Sequence, residues 1–393
     1  MGIFSDNERK NELVLVFDVG SSSVGGALFY TQESGIPKII FSMREPIILE
    51  ENLDVEKFLS LAVKSLEVVA SSIYSKKLGA PKSIFCILSS PWYISQTRTI
   101  SFRKNTSFMF TSKIADNLVQ KEVAFFQEEH FKEYIEAKSP IRLIELKNIK
   151  TMLNGYETSS PLNQKAKEVE MTIFISMSGE QVLQKMEDTI KSHFHFRPIT
   201  FSSFVLVSFA VVRDMYINQE NFLIIDIGGE VTDISMTKKN VLRESVSFPL
   251  GLNFITRGVA LGMACSLAEA KSYISLYKDK HGTESVNKKL DSIIVKLKSQ
   301  WLAKFQESLV NISNDVSIPA TIYIFVNKDL ANFFIETIKT EQFNQYTLTE
   351  SKYKITFLDT ELLHSLATFE NNTARDPSLI IESIYINRFL SKI

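Results

Sequence analysis

Two acids, each ending an apolar strand and each followed by a glycine turn, constrain this chain more than any other feature. The first stands in Leu13-Val14-Leu15-Val16-Phe17-Asp18-Val19-Gly20-Ser21-Ser22-Ser23-Val24. The second stands in Leu223-Ile224-Ile225-Asp226-Ile227-Gly228-Gly229-Glu230-Val231-Thr232-Asp233. In both, an apolar run delivers a carboxylate, small residues turn the backbone, and a second strand leaves. One such hairpin says little. Two of them, each opening one half of a 393-residue chain, predict turns that face each other across a cleft. Backbone N–H groups in tight turns form anion nests, and paired carboxylates suit a hydrated divalent cation. The pattern points to a nucleoside triphosphate with Mg²⁺ clamped between two related halves.

The elements around the two turns repeat in order. Strands are expected at 13–18, 24–30 and 37–42, a helix at 53–78 and a strand at 83–89. Phe58, Ala62, Leu66, Val69 and Ile73 give that helix its apolar face. Later come strands at 222–227, 231–237 and 241–248, helical segments over 253–278 and a longer helix over 285–312. Strand 321–326, helix 330–339, strand 353–358 and a terminal helix from Pro377 complete the second series. Three strands, a helix, a strand and a helix, twice over, read as an internal duplication. Between the series lies a compact α+β insert with strands near 96–103, 142–152 and 168–177 and helices at 112–134 and 179–193. The expected division is 1–90 for the first half, 91–197 for the insert and 198–393 for a linking helix (199–216) and the second half.

Composition removes several function classes. Formal net charge is -1 and no stretch combines dense Lys and Arg with aromatics, which argues against a nucleic-acid partner. Cys86 and Cys265 sit in apolar runs and read as reduced core thiols. Residues 1–11 are polar and carry no secretory signal, and the longest apolar run, 204–212, is too short to span a bilayer. The expectation is a soluble intracellular protein. His193 and His195 lack ligand spacing, so a metal role is not expected of them.

On these residues the chain resembles the actin-like ATPase superfamily, and within it the bacterial FtsA/PilM group. Asp18 to Val24 is similar to the opening of PilM-type pilus proteins, and Asp226-Ile227-Gly228-Gly229 through Asp233 resembles the second phosphate loop of FtsA. The insert resembles the FtsA-type (SHS2-type) subdomain in position and strand content, including its loop Leu153-Asn154-Gly155-Tyr156. Gly251-Leu252-Asn253 and the helix with Ala268-Glu269-Ala270-Lys271 also match. The resemblance implies a duplicated actin-like (ribonuclease H-like) α/β fold with two halves around a nucleotide cleft. It implies ATP and Mg²⁺ as cofactors, with Asp18 and Asp226 on the metal and in any catalysis. Gly20, Ser21, Ser22, Ser23, Gly228, Gly229, Thr232 and Gly251 would surround the phosphates, and Glu269, Lys271 and Asn327 the ribose and base.

It further implies a nucleotide-gated scaffold in a cell-division or type IV pilus machine, cytoplasmic and recruited to the inner face of the membrane. Its partners would be a membrane-protein cytoplasmic peptide or a cytoskeletal filament, with self-association, and membrane contact would be indirect. The sequence departs from the group in three places. Asn327-Lys328 follows the late strand where the group has two glycines. Helix 201–212 offers only Ser202, Ser203 and Ser208 to orient a water, so any Mg-dependent hydrolysis is expected to be slow. The chain stops at a helix (378–393) expected to close the core rather than lie on a membrane. Two alternatives stay open: an interaction module whose cleft binds no nucleotide, and a small-molecule kinase on the same fold with Asp214 or Asp233 as its acid.

Overall fold

A computed structural model describes residues 11–134, 140–195, 198–278, 281, 283–313, 317–340 and 353–390. Residues 1–10 of a lead-in expected at 1–12 and residues 391–393 of the expected terminal helix lie outside these, as do the side chains of Phe389 and Leu390. The first hairpin is β1 (Leu13–Val19) and β2 (Ser23–Tyr30), continued antiparallel by β3 (Lys38–Pro46). Helix α1 (Val55–Ser75) then crosses over and returns as β4 (Ser83–Leu88), parallel to β1. Asp54 caps α1 by accepting from the Lys57 N–H, and Phe58, Ala62, Leu66, Val69 and Ile73 are all buried on its inner face. Among the described residues α1 is the one helix long and apolar enough to cross a membrane, and this burial makes it a core helix.

The insert carries β5 (Ile94–Phe110), α2 (Ser112–Tyr134), β6 (Ile141–Leu153), β7 (Tyr156–Glu157), β8 (Gln164–Gly179) and α3 (Glu180–His193). Its four strands form one antiparallel sheet in the order β5-β8-β6-β7. Phe126 of α2 fills the insert's own core, whereas Leu183, Met186 and Ile190 of α3 join the core of the first half.

Residues 199–216, expected as one helix, are a strand followed by a helix. Strand β9 (Ile199–Ser203) pairs parallel with β4, and α4 (Phe204–Met215) follows. The second half then runs β10 (Phe222–Ile227), β11 (Thr232–Lys238), β12 (Val241–Phe248), α5 (Leu252–Met263), α6 (Leu267–Lys278) and α7 (Glu284–Ser313). It continues with β13 (Thr321–Val326), α8 (Lys328–Thr340), β14 (Lys354–Phe357), α9 (Thr360–Leu363), β15 (Thr368–Phe369) and α10 (Pro377–Leu390).

The strand orders show the duplication. One sheet reads β15-β3-β2-β1-β4-β9 and the other β12-β11-β10-β13-β14. Without β15, both are three antiparallel strands with two parallel strands added beside the first hairpin strand. The halves are not consecutive stretches, however. Strands β9 and β15 belong to the first sheet, and α10 is buried in the first core through Leu379, Ile380, Ile381, Ile384 and Ile386. The first half therefore reclaims segments that the boundary at 198 assigned to the second. Glu382 and Asn387, expected on a polar face of α10, are buried too. A helix buried on all sides belongs to a core, not to a bilayer surface.

Candidate functional site

The two glycine turns have the same internal bond. The Gly20 N–H donates to the Ser23 carbonyl at 3.1 Å, and the Gly228 N–H to the Val231 carbonyl at 2.9 Å. They meet directly across the halves, where the Glu230 N–H donates to Ser21 Oγ at 3.0 Å. A Cβ on Gly229 would lie 2.6 Å from the Ser21 carbonyl oxygen, so glycine is what lets these backbones touch. Gly251 plays the same part behind the second turn, where a Cβ would lie 2.4 Å from the Gly228 and Gly229 oxygens. The first N–H groups of α5, on Leu252 and Asn253, donate to those oxygens at 2.9 and 2.8 Å. Trp92 Nε1 holds the first turn by donating to the Gly20 carbonyl at 2.7 Å.

A second set of contacts joins the halves next to the turns. Arg257 clamps Glu230 through both guanidinium termini at 2.7 and 2.8 Å and donates from Nε to the Glu50 carbonyl at 2.8 Å. On the other side of the turns, a cleft of about 430 Å³ opens between the halves. Asp18, Gly20, Ser21, Ser22, Ser23, Asp226, Gly228 and Asn327 line it. Gly229, Thr232, Gly251, Glu269 and Lys271 do not. Thr232 is buried, donating to the Leu250 carbonyl at 2.7 Å and accepting from Trp301 Nε1. Glu269 accepts from the Ser266 N–H and hydroxyl at 2.8 and 2.7 Å, a reciprocal cap on its own helix that holds its carboxyl below the usual range. Asn327 accepts from the Asp329 N–H at 2.8 Å and so caps α8 at the cleft wall.

The acids are not equivalent. Asp18, Gly25 and Arg44 are neighbours on three adjacent strands. Because Gly25 has no side chain, Arg44 reaches across it to Asp18; a Cβ there would lie 2.8 Å from Arg44 Nη2. Arg44 Nη2 donates to Asp18 at 2.6 Å, Nη1 to Ser23 Oγ at 3.0 Å, and Nε and Nη2 to Asp376 at 2.6 and 3.0 Å. Burial pushes the Asp18 carboxyl up against the pull of Arg44. Burial also opposes the Asp376 charge, but Arg44 and the Leu379 and Ser378 N–H groups hold it below its ordinary range. Glu382 lies fully buried beside them, and burial followed by the Asp18 charge pushes its carboxyl well above the ordinary range. Arg44, Asp376 and Glu382 had no signal in the hairpin motif.

Asp226 has no hydrogen bond or ion pair to any described residue. Burial, then the Asp233 and Asp18 charges, push it well above the normal carboxylate range. A void of about 10 Å³ behind it is closed by Tyr93, Ser208, Asp233 and Ser235, a space at the lower limit for one water. Asp233 is buried and accepts from Ser90 Oγ at 2.8 Å and from Ser247 Oγ, yet burial still lifts its pKa to about 6. A carboxyl whose folded pKa exceeds its unfolded value contributes stability below the unfolded pKa and loses it as pH rises through the folded one. The difference in unfolding free energy between Asp233→Asn and wild type should therefore move in favour of the variant by about 2 kcal/mol from pH 4 to pH 7. Chemical denaturation at both pH values measures it. A pH-independent difference would refute the raised pKa.

Ser203 donates through its N–H and hydroxyl to the buried Glu145 carboxylate at 2.9 and 2.6 Å, and Ser208 Oγ donates to the Val205 carbonyl. Asp214 is paired with Arg213 and Arg388, outside the cleft. Among the described residues no group of three or more His, Cys, Asp or Glu side chains is arranged to hold a metal by itself.

No family model matches the chain, and no curated protein matches it by sequence. Solved structures do. A chain of a PilM-PilN type IV pilus biogenesis complex is similar with a TM-score of 0.60 at 12% identity, covering 96% of this chain and 98% of that one. Two remoter ones are the ethanolamine utilization protein EutJ from Carboxydothermus hydrogenoformans (TM-score 0.41, 10% identity, 98% and 92% covered) and a Bacteroides thetaiotaomicron protein with an actin-like ATPase fold (0.38, 9%, 98% and 99%). The fold is the duplicated actin-like one, in the form seen in the PilM-PilN structure.

Proposed function

We propose that this chain is an actin-like scaffold of the PilM kind that binds ATP with Mg²⁺ in the cleft. Nucleotide holds the halves closed while the insert meets a protein partner in a membrane-associated pilus assembly machine. The observation that carries the reading is Asp226: a desolvated carboxyl with no ion pair among the described residues, at the junction of two glycine turns and facing a nucleotide-sized cleft. Such a group favours a bound cation, and the Ser21 to Ser23 and Gly228 backbones suit the phosphates that would share it. These residues fit the pair of ligands at the phosphate end. When bound, the metal would neutralise phosphate charge. Asp18 already shares Arg44, so Asp226 is the principal acid facing the metal. The pilus setting rests on the likeness to the PilM-PilN structure, a type IV pilus biogenesis complex of two proteins.

Closing by nucleotide requires only that it bind the closed form better than the open one; hydrolysis is not needed. Slow turnover is expected because Ser203 at the end of β9 and Ser208 in α4 already donate their hydroxyl protons to Glu145 and to the Val205 carbonyl.

A titration with a fluorescent ATP analogue, with Mg²⁺ and with EDTA, tests this beside Asp226→Ala. Saturable, Mg²⁺-dependent binding that falls at least tenfold in the variant is expected, from the loss of one charged ligand. No binding at millimolar concentration by folded protein would sink the proposal. That result would favour an interaction module closed by its own residues, the reading to which Arg44 on Asp18 and the Asn327 cap lend support.

A further inference from the structure

A larger cavity, of about 710 Å³, lies where the insert meets the second half and shares no lining residue with the nucleotide cleft. One wall is the β5–β8 face, which presents the threonine hydroxyls of Thr97, Thr99 and Thr172. The opposite wall is the β11–β12 hairpin, which presents Lys238, Lys239 and Arg243.

The hairpin is built in a way that delivers those cations. Its register shifts between Met236 and Thr237, which face Glu244 and Leu242, so Arg243 is the extra residue of a bulge. Bulges re-aim a side chain and gather next to binding sites. At its tip Lys239 and Asn240 both take the left-handed conformation, with φ of 50° and 60°. Two-residue turns of that type favour Asn-Gly, and a lysine in the first place is a local cost that the hairpin sustains. Asn221 Oδ1 and the Glu220 carbonyl hold the tip by accepting from the Lys239 and Asn240 N–H groups at 3.0 Å each.

None of the three cations has a carboxylate partner among the described residues; Lys238 reaches only Ser317 Oγ, at 3.3 Å. Burial and the Arg243 charge hold the Lys238 ammonium below its ordinary range. Among the described residues Glu244 is the one acid in the wall, and burial pushes its carboxyl above the ordinary range. Three cations facing a hydroxyl-lined space, with no carboxylate partner among the described residues, suit an anionic ligand.

We infer that this cavity is a second anion site, which takes a small molecule bearing two or more phosphate or carboxylate groups. Lys238, Lys239 and Arg243 hold the anionic groups, and the threonines hydrogen-bond them from the insert. The volume lies within the range of small-molecule sites. Because its walls belong to different parts of the chain, the ligand ties the insert to the second half.

Calorimetric titration of the full chain with pyrophosphate, and separately with citrate, at low salt and without Mg²⁺ tests the inference. Wild type is expected to bind at least one of the probes, more weakly as salt rises. Arg243→Ala should weaken it about tenfold or more, and Arg243→Lys should recover part of the loss. The Mg²⁺- and Asp226-dependent part of the ATP-analogue binding should be the same in both variants as in wild type. If wild type fails to bind that analogue but still binds the anion through Arg243, the cleft proposal fails and the cavity site stands. Absence of binding to either probe, or an isotherm that Arg243→Ala leaves unchanged, would overturn the site. Binding of a hexaglutamate peptide without any small-anion binding would also overturn it, and would assign the surface to a protein segment.

Discussion

Arg44→Met should lower stability at pH 8 by about 3 kcal/mol, read as a shift in the denaturant midpoint at unchanged slope. Arg44 is the cation that Asp18 and Asp376 share, and Glu382 adds a third carboxyl within the same buried group. Removing one partner of a buried ion pair costs more than the pair contributed, because the orphaned charges stay desolvated. Part of the Arg44 side chain remains exposed, 29%, which is why the lower end of that range applies. The sign of the pH dependence follows from the acids. In wild type Asp376 is held below its ordinary range, so its contribution is present at neutral pH and lost on acidification. Without Arg44, both aspartates would have raised folded pKa values and would weaken the fold as pH rises through them. The gap between wild type and variant should therefore be widest at pH 8 and narrow towards pH 5.

Two companions separate charge from packing. Asp18→Asn placed on Arg44→Met should recover part of the loss, because it removes one orphaned charge. Glu382→Gln alone should cost less than Arg44→Met, because it leaves the Arg44 pairs to Asp18 and Asp376 in place. An Arg44→Met protein as stable as wild type at pH 8 would remove the ion pair as an organising contact.

The parts of this site that are legible in the sequence are the local ones. An apolar strand, a carboxylate and a glycine within a dozen residues give away each hairpin, and the repeated order gives away the two sheets. Helix spacing in α1 and α7 is equally local, and Leu290, Leu297, Trp301, Phe305 and Leu309 are buried as their periodicity predicts. Contacts over long sequence distances are not legible in this way. Arg44 reaches Asp18 only through the strand register that places Gly25 between them, and Asp376 arrives from 332 residues beyond Arg44. Strand β9 is hidden because Ile199-Thr200-Phe201-Ser202-Ser203 leads with no Gly or Pro between into the apolar run 204–212, and five residues are too few for periodicity to separate strand from helix. The Glu269 cap had a signal that the nucleotide assignment passed over, since Ser266-x-x-Glu269 is a capping pattern. Asn387 shows the opposite limit: a polar residue in a helix marks a surface only when no buried partner awaits it. Asn387 Oδ1 accepts from the Gln32 N–H at 2.7 Å, and its Nδ2 donates to the Gln32 carbonyl at 3.1 Å.

Gly229→Ala should separate the two turns, although the new methyl group touches no ligand. Its Cβ would stand 2.6 Å from the Ser21 oxygen and 2.7 Å from the Ser22 nitrogen, and both are backbone atoms of the opposite half. No rotamer change relieves a clash with backbone, so one turn must move away from the other. Overpacking of this kind costs about 2 kcal/mol, and here the strain is released by opening the cleft. The Glu230–Arg257–Glu50 clamp lies beside the turns and is not touched, so the halves should swing apart about it without separating. A larger radius of gyration in solution scattering and an ATP-analogue affinity at least tenfold weaker are the expected readings. Ser21→Ala is the control. It removes only the Glu230 N–H bond to Ser21 Oγ, worth about 1 kcal/mol, and should leave the turns in contact. A Gly229→Ala protein as compact as wild type, with unchanged affinity, would show that the turns do not set closure. A variant that expands and loses affinity while Ser21→Ala does neither would make backbone contact between the turns the element on which nucleotide and closure act together.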